Sequence, residues 1–189
     1  MSKKYFSLGL MSGTSMDGVD VSIIQSDGKT NYKVIIDKYF RYSKEIYQNL
    51  TDLRDKIKNL KDLKKYEEEL KITEEEITKF HAKVVEKILK KTKKNIDFIG
   101  FHGQTIFHDP RQKVSKQLGD GKLLSKITKK KVVYQFRQND IKNGGEGAPL
   151  TPIFHQLIIK KYKLKLPALI LNIGGITNAT WKKPGCNII

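Results

Sequence analysis

Cysteine is nearly missing from this chain of 189 residues: Cys186 stands alone, so no disulfide can form within it. A reducing, cytoplasmic setting is the expectation that follows. Long apolar runs are missing too. Leu157 to Ile159 ends at Lys160, and no stretch approaches the ~20 residues that cross a bilayer, so no membrane association is expected. The opening YFSLGLM after Lys3 and Lys4 is broken by Gly9, Ser12 and Gly13 and followed by Asp17 and Asp20, unlike a signal peptide. There is no internal repeat and no low-complexity linker. What remains, 38% apolar and 9% aromatic residues with 30% charged, suits one domain or one lobe with a real core.

Acidic residues are the minority, 20 against 37 basic, which gives a net charge of +17. Arginine is scarce as well, with Arg41, Arg54, Arg111 and Arg137 the only four. Nucleic-acid readers concentrate charge on one face and add arginine forks or stacking aromatics. Here the lysines are spread along the chain, and the stretch from Lys44 to Lys94 holds 15 basic and 11 acidic residues. A specific nucleic-acid partner is therefore not expected, although a nonspecific affinity at low salt is.

Three textures succeed one another. From Tyr5 to Tyr42 the pattern is strand, turn, strand, turn, strand, with Asp27 to Thr30 as a hairpin connection. From Lys44 to Thr92 the apolar period becomes helical: Ile46, Leu50, Leu53, Ile57 and Leu60 recur at three and four, as do Ile77, Phe80, Val84, Val85, Ile88 and Leu89. Thr73 and Glu76 have capping-box spacing, which predicts a helix start there. His81 in the second helix reads as a structural imidazole, since no second ligand lies one turn away. From Ile96 onward, IDFIGFHG, KVVYQF and PALILNIGG alternate with helical candidates near Lys122 to Thr128 and Pro149 to Tyr162. The expected fold class is α/β: a mixed, five-stranded-type sheet, antiparallel meander plus parallel strands, flanked by helices.

Four segments carry more glycine and small polar residues than packing requires. Leu10 to Asp20, LMSGTSMDGVD, lies between two strands, so its amides and hydroxyls can converge on an anion. An ordinary hairpin turn is the competing reading. Asp17 and Asp20 would repel a phosphate unless a divalent cation accompanies it. Phe101 to Asp109, FHGQTIFHD, is expected at a strand end, where His102, Gln104, Thr105 and His108 suit a polar substrate such as a sugar. In Gln135 to His155, Arg137 can hold a carboxylate or phosphate, or else pair with Asp140. Gly144, Gly145 and Gly147 permit close backbone approach before Pro149 opens a helix. In Leu171 to Thr180, Gly174 and Gly175 punctuate a strand.

In this order, SGTSMDGVD, GFHGQT, FRQNDI, GGEGAPLTPIFH and LNIGGITN resemble the motifs of the anhydro-N-acetylmuramic acid kinases, from Tyr5 to the end of the chain. The resemblance implies a lobe of the actin and hexokinase superfamily, ribonuclease-H-like or actin-like, and a reaction that uses ATP and Mg. In that reaction water opens the 1,6-anhydro ring of anhydro-N-acetylmuramic acid while the sugar is phosphorylated at O6, in cell-wall recycling. It further implies that Gly13, Thr14, Ser15, Met16, Asp17, Gly18, Val19 and Asp20 form the ATP-binding loop, with Asp17 the candidate for the metal. His102, Gln104, Thr105, Arg137, Asp140 and Glu146 fall on the sugar side. Two positions depart from the family: Gln135 where Asp usually precedes Phe-Arg, and Glu146 where Gln is usual. A neutral amide at 135 cannot hold a cation or accept a proton as a carboxylate does.

The family's general base, an Asp in a GFDTGPGN-like segment, is expected beyond Ile189. Residues 1–180 are thus expected to be an N-terminal lobe and 181–189 the start of a connection to a second lobe. Such a chain is expected to be inactive alone, and to work, if it does, with a separate C-terminal lobe or as a homodimer. The alternatives are a noncatalytic sugar- or nucleotide-binding remnant and one subunit of a split enzyme.

Overall fold

The computed structural model describes residues 3–174 and 177–185. Three strands open the chain: β1 (Tyr5–Ser12), β2 (Gly18–Ser26) and β3 (Tyr32–Arg41). They pair antiparallel, Leu10 facing Val21 and Val21 facing Lys38. The β2–β3 turn closes on Asp27, whose carboxylate accepts the amides of Lys29, Thr30 and Asn31. The strands alternate as a half-covered sheet must, with Leu8, Leu10 and Ser12 buried and Gly9 and Met11 turned the other way.

Helices α1 (Lys44–Lys56), α2 (Leu60–Lys65) and α3 (Glu67–Leu89) follow. Ser43 caps the first, and Asn59 with Asp62 makes a capping box on the second. The start predicted at Thr73 is not there, because α3 begins six residues earlier. Glu67 to Glu69 supply its acidic first turn, and Thr73 is buried mid-helix on the stripe that includes Leu70, Ile77, His81, Val84 and Ile88. That stripe and Ile46, Leu50 and Leu53 of α1 cover the Leu8, Val21, Ile23, Ile99 and Phe101 face of the sheet.

Strand β4 (Phe98–Asp109) is the hub. It runs parallel to β1, Leu10 beside Phe101, and its far edge carries two strands in succession. Strand β6 (Lys131–Tyr134) pairs parallel with Phe98 to Phe101, and β5 (Val114–Leu118) pairs antiparallel with Gln104 to Asp109. Gly103, at φ +71, makes the bend between these halves, and a side chain there would collide with the Leu118 carbonyl. The expected strand end at Phe101–Asp109 is therefore the second half of a longer strand. The main sheet has six strands, in the order β3-β2-β1-β4-β5 with β6 also on β4, one more than expected.

Helix α4 (Gly121–Thr128), capped by Asp120, and the short α5 (Phe136–Lys142) flank β6. Helix α6 (Pro152–Lys161) opens on Pro152. Pro149, expected to open it, lies in the preceding loop after a cis peptide bond. Strands β7 (Ala168–Asn172) and β8 (Asn178–Lys182) form a separate antiparallel hairpin instead of joining the main sheet. Cys186 and Gly175 fall outside the described residues. No helix of the described residues is long and apolar enough to cross a membrane.

Candidate functional site

The Gly13–Asp17 turn joins β1 to β2 and is held from below. Met16 takes a left-handed conformation, φ +58, which sends its side chain into the core at 3% exposure, and its amide donates to the Gly13 carbonyl (3.2 Å). The Tyr42 amide donates to the Asp17 carbonyl at 2.9 Å. Gly18 begins β2 where any Cβ would overlap Phe40 and the Tyr39 ring, so only glycine lets β2 pass β3 there. With these carbonyls turned inward, Thr14 and Ser15 stand exposed at the tip, and their amides make no hydrogen bond among the described residues. Two backbone donors and the Thr14 hydroxyl are thus left without a partner among the described residues, on a turn whose base is fixed.

The carboxylates beside the turn behave differently from each other. The Ser15 hydroxyl donates to Asp17 and, with the Tyr39 hydroxyl, holds its carboxyl below the usual range. Asp20 is shifted the other way, by partial burial and by the neighbouring charges of Asp37 and Asp17. A cation beside Asp20 would relieve that repulsion. Among the described residues no three metal-ligating side chains form a cage. Mg typically keeps several waters and takes one or two carboxylates plus phosphate oxygens, so Asp17 and Asp20 fit a metal that arrives with ATP.

On β4 and α5, His102 and Arg137 come together. His102 Nδ1–H donates to the Gly103 carbonyl (2.7 Å), which leaves Nε2 as the acceptor for Arg137 Nε–H at 2.8 Å. Burial, with Arg137 adding to it, lowers the His102 pKa to about 4, so the ring is neutral at pH 7. Arg137 Nη1 donates to the Gly147 carbonyl (2.8 Å), and the Gly147 amide donates to the Asp140 carboxylate (2.8 Å). The Arg137–Asp140 ion pair considered above does not form. The two side chains instead grip Gly147, φ +74, from opposite ends, and Gly145 passes so close to Asp140 that a side chain would overlap its carboxylate. Arg137 Nη2 has no partner among the described residues.

The other expected sugar-side residues are dispersed. Gln104 is wholly buried, its amide engaged with the Gly13 turn and away from any cleft. The Thr105 hydroxyl accepts from Gln117 across β5 (3.3 Å), and Glu146 is exposed in the glycine loop, where its charge acts on His108. A cleft of about 460 Å³ beside the middle of β4 and the carboxyl end of β6 is lined by His102, Gln135, Gln138, Ser115, Gln117 and Tyr134 among others. Gln138, which sequence reasoning passed over, holds the edge of β5 by accepting the Ser115 amide at 2.8 Å. Ser12, Met16 and Tyr42 were missed as supports of the turn. Alternation could have placed Ser12 inward, but nothing local marks Met16 as buried.

The family model for anhydro-N-acetylmuramic acid kinase matches residues 4–189. The chain belongs to the anhydro-N-acetylmuramic acid kinase family. It is 59% identical over 180 residues to an anhydro-N-acetylmuramic acid kinase of Pelagibacter ubique, covering 95% of this chain and 48% of that protein. It is 40% identical over 186 residues to one of Methylobacterium nodulans, covering 92% and 50%, and 36% identical over 182 residues to one of Agrobacterium fabrum, covering 92% and 48%. The chain spans about half the length of these curated relatives. Its mixed sheet flanked by helices is the architecture of an actin- or hexokinase-like ATPase lobe. Gln135, one of the two departures from the motifs that the resemblance implies, sits at φ +60, a left-handed conformation that Asp and Asn adopt more readily than Gln.

Proposed function

We propose that this chain forms the nucleotide-phosphate side of an ATP-dependent sugar kinase. The Gly13–Asp20 loop takes the phosphates of ATP, and the sugar would lie against β4 and α5. The observation that carries this reading is the pair of free amides at Thr14 and Ser15 on a turn anchored beneath them. Backbone N–H groups so arranged bind phosphate oxygens, and phosphoryl transfer is catalysed chiefly by positioning and charge stabilisation. Mg, bound with the nucleotide beside Asp17 and Asp20, would neutralise charge between the phosphates. Arg137, oriented by His102 and Gly147, has Nη2 left for an anionic group such as the lactyl carboxylate of anhydro-N-acetylmuramic acid.

For the whole protein the reaction would be hydrolytic opening of the 1,6-anhydro ring with phosphorylation at O6. The lobe would take in residues 1–180, the connection to a second lobe starting at 181–189. Titration of the 15N-labelled chain with MgATP should shift the Thr14 to Asp17 amides before others, and shifts confined elsewhere would overturn the phosphate assignment. Mixing the chain with the separately expressed second half of the Pelagibacter ubique relative should restore ATP-dependent phosphorylation of anhydro-N-acetylmuramic acid. Gln135 supports a second reading, a noncatalytic remnant. It would gain weight if the mixture stayed silent while the same mixture with Gln135→Asp turned over.

A further inference from the structure

The Gly13–Asp17 turn is tied to the body of the lobe by a chain of buried hydrogen bonds that runs in one direction. The Tyr42 hydroxyl donates to Ser12 Oγ at 3.1 Å. Ser12 in turn donates to Gln104 Oε1 at 2.6 Å, with the Gly18 carbonyl 3.0 Å away sharing the same hydrogen. Gln104 Nε2 donates to the Gly13 carbonyl at 3.0 Å and lies 3.3 Å from the Thr105 carbonyl. The amide orientation is fixed by its surroundings. Were Gln104 turned over, its oxygen would face two carbonyls and both contacts would become repulsive. Ser12 is 2%, Gln104 0% and Tyr42 5% exposed, so none of these groups meets water or a ligand. The chain therefore grips both ends of the turn, Gly13 through Gln104 and Gly18 through Ser12.

We propose that Gln104, with Ser12 and Tyr42, is a positioning residue for nucleotide binding: it sets the Gly13 carbonyl inward so that the Thr14 and Ser15 amides point outward at the phosphates. This rests on the phosphate-loop reading above and extends it to residues that touch no ligand. A side chain chosen only to fill the space under the turn would be apolar, as its neighbours Leu10, Phe101 and Leu118 are. Burying a primary amide is unfavourable unless all its partners are present, and here they are present only while the turn keeps this shape. The clamp and the turn thus specify each other.

The test uses the full chain and three variants. Gln104→Met keeps length and volume but has no hydrogen-bonding amide, so it leaves the Gly13 carbonyl with the Met16 amide alone and the Ser12 hydroxyl with only the Gly18 carbonyl and Tyr42. We expect it to weaken MgATP binding roughly tenfold. It should also speed hydrogen exchange at Thr14 to Asp17 and move the Gly13 carbonyl carbon resonance upfield, while β1 and β4 core amides keep their protection. Gln104→Glu adds a signature that packing alone does not produce. Its ionised carboxylate has no hydrogen for Gly13, so its affinity relative to the parent chain should recover as pH is lowered from 8.5 to 6.5 and the buried carboxyl protonates.

If Gln104→Met does not fold, Tyr42→Phe, which removes only the first donor, should weaken binding about two- to threefold. Parent-like affinity and exchange at the turn in the Gln104 variants would overturn the proposal and leave the phosphate loop standing. Faster turn exchange with unchanged affinity would also overturn it, assigning the clamp to the fold alone. If MgATP shifts no turn amide in the parent chain, both readings fall together.

Discussion

The FIGF strand at the centre of the main sheet and the ALILN strand of the last hairpin are equally apolar in sequence and have opposite fates. In the first, Ile99 and Phe101 are 0% and 1% exposed under α1 and α3. In the second, Leu169 and Leu171 are 63% and 53% exposed, and Trp181, paired across from Leu169, is 52% exposed. Alternation writes which residues share a face. Whether that face is buried depends on a second layer, and only the main sheet has one among the described residues. The hairpin's inner side is held more locally, by α6, where His155 Nδ1 and the Thr180 hydroxyl lie 2.7 Å apart.

The contrast is broken most directly by truncating one large side chain in each region. Phe101→Ala should destabilise the chain by about 3–5 kcal/mol in urea unfolding, because it removes transfer energy and leaves a cavity in a layer packed on both sides. Leu169→Ala should change the same midpoint by no more than about 0.5 kcal/mol. Comparable losses at the two sites would show that the hairpin face is covered in solution.

The buried side of the main sheet also carries a response to acid. His81 is fully buried on α3 against Phe101, its Nδ1–H bonded to the Ile77 carbonyl, and its Nε2 is the one buried side-chain polar atom without a partner among the described residues. Burial lowers its pKa to about 4, against the ordinary 6.5 of the unfolded chain. Between those values the unfolded state binds the extra proton, so this stability is fully present above pH 6.5 and is lost as pH falls toward 4. At ~1.4 kcal/mol per pKa unit, the loss for His81 is about 3 kcal/mol. His102 adds to it in the same window. Urea midpoints at pH 7.5 and 5.0 should show this slope, and His81→Gln, which keeps a donor for Ile77, should flatten it in part. A slope unaffected by that substitution would mean that His81 is not held neutral by the core.

The smallest effect sharpens the description of the hairpin. Trp181 is the single tryptophan among eight tyrosines, so emission excited selectively at tryptophan reports on β8 alone. Its emission should be red-shifted and readily quenched by iodide in the folded chain, changing little on unfolding. Blue-shifted, protected emission would place that face against another surface.

Much of the local structure was legible. Period-two alternation gave β1 to β3, and three-four spacing gave α1 and the core stripe of α3, because side-chain direction repeats with the backbone. The turn between β1 and β2 could be recognised from its glycine and small polar residues. Its supports could not, since Gln104 lies 91 residues from Gly13 and meets it only because β4 runs parallel beside β1. For the same reason Gln104 was expected on the sugar side, with its motif neighbours His102 and Thr105. The helix start at Thr73 was misplaced because the same spacing arises within a helix, where Thr73 faces the core and half-buried Glu76 accepts from Asn49 of α1. Strand β5, VSKQL, has too little apolar pattern to be read, and is made a strand by pairing with β4.

By itself, then, the sequence determined the opening three strands, the helical stretch after them, the inward faces of those elements, and the family whose motifs it carries, because these depend on neighbours within a few residues. Tertiary structure alone decided which apolar faces find cover, which polar side chains are consumed inside the fold, and that His102, Arg137 and Gly147 meet. Those outcomes depend on contacts between residues far apart in the chain, and no local pattern encodes a distance across a sheet.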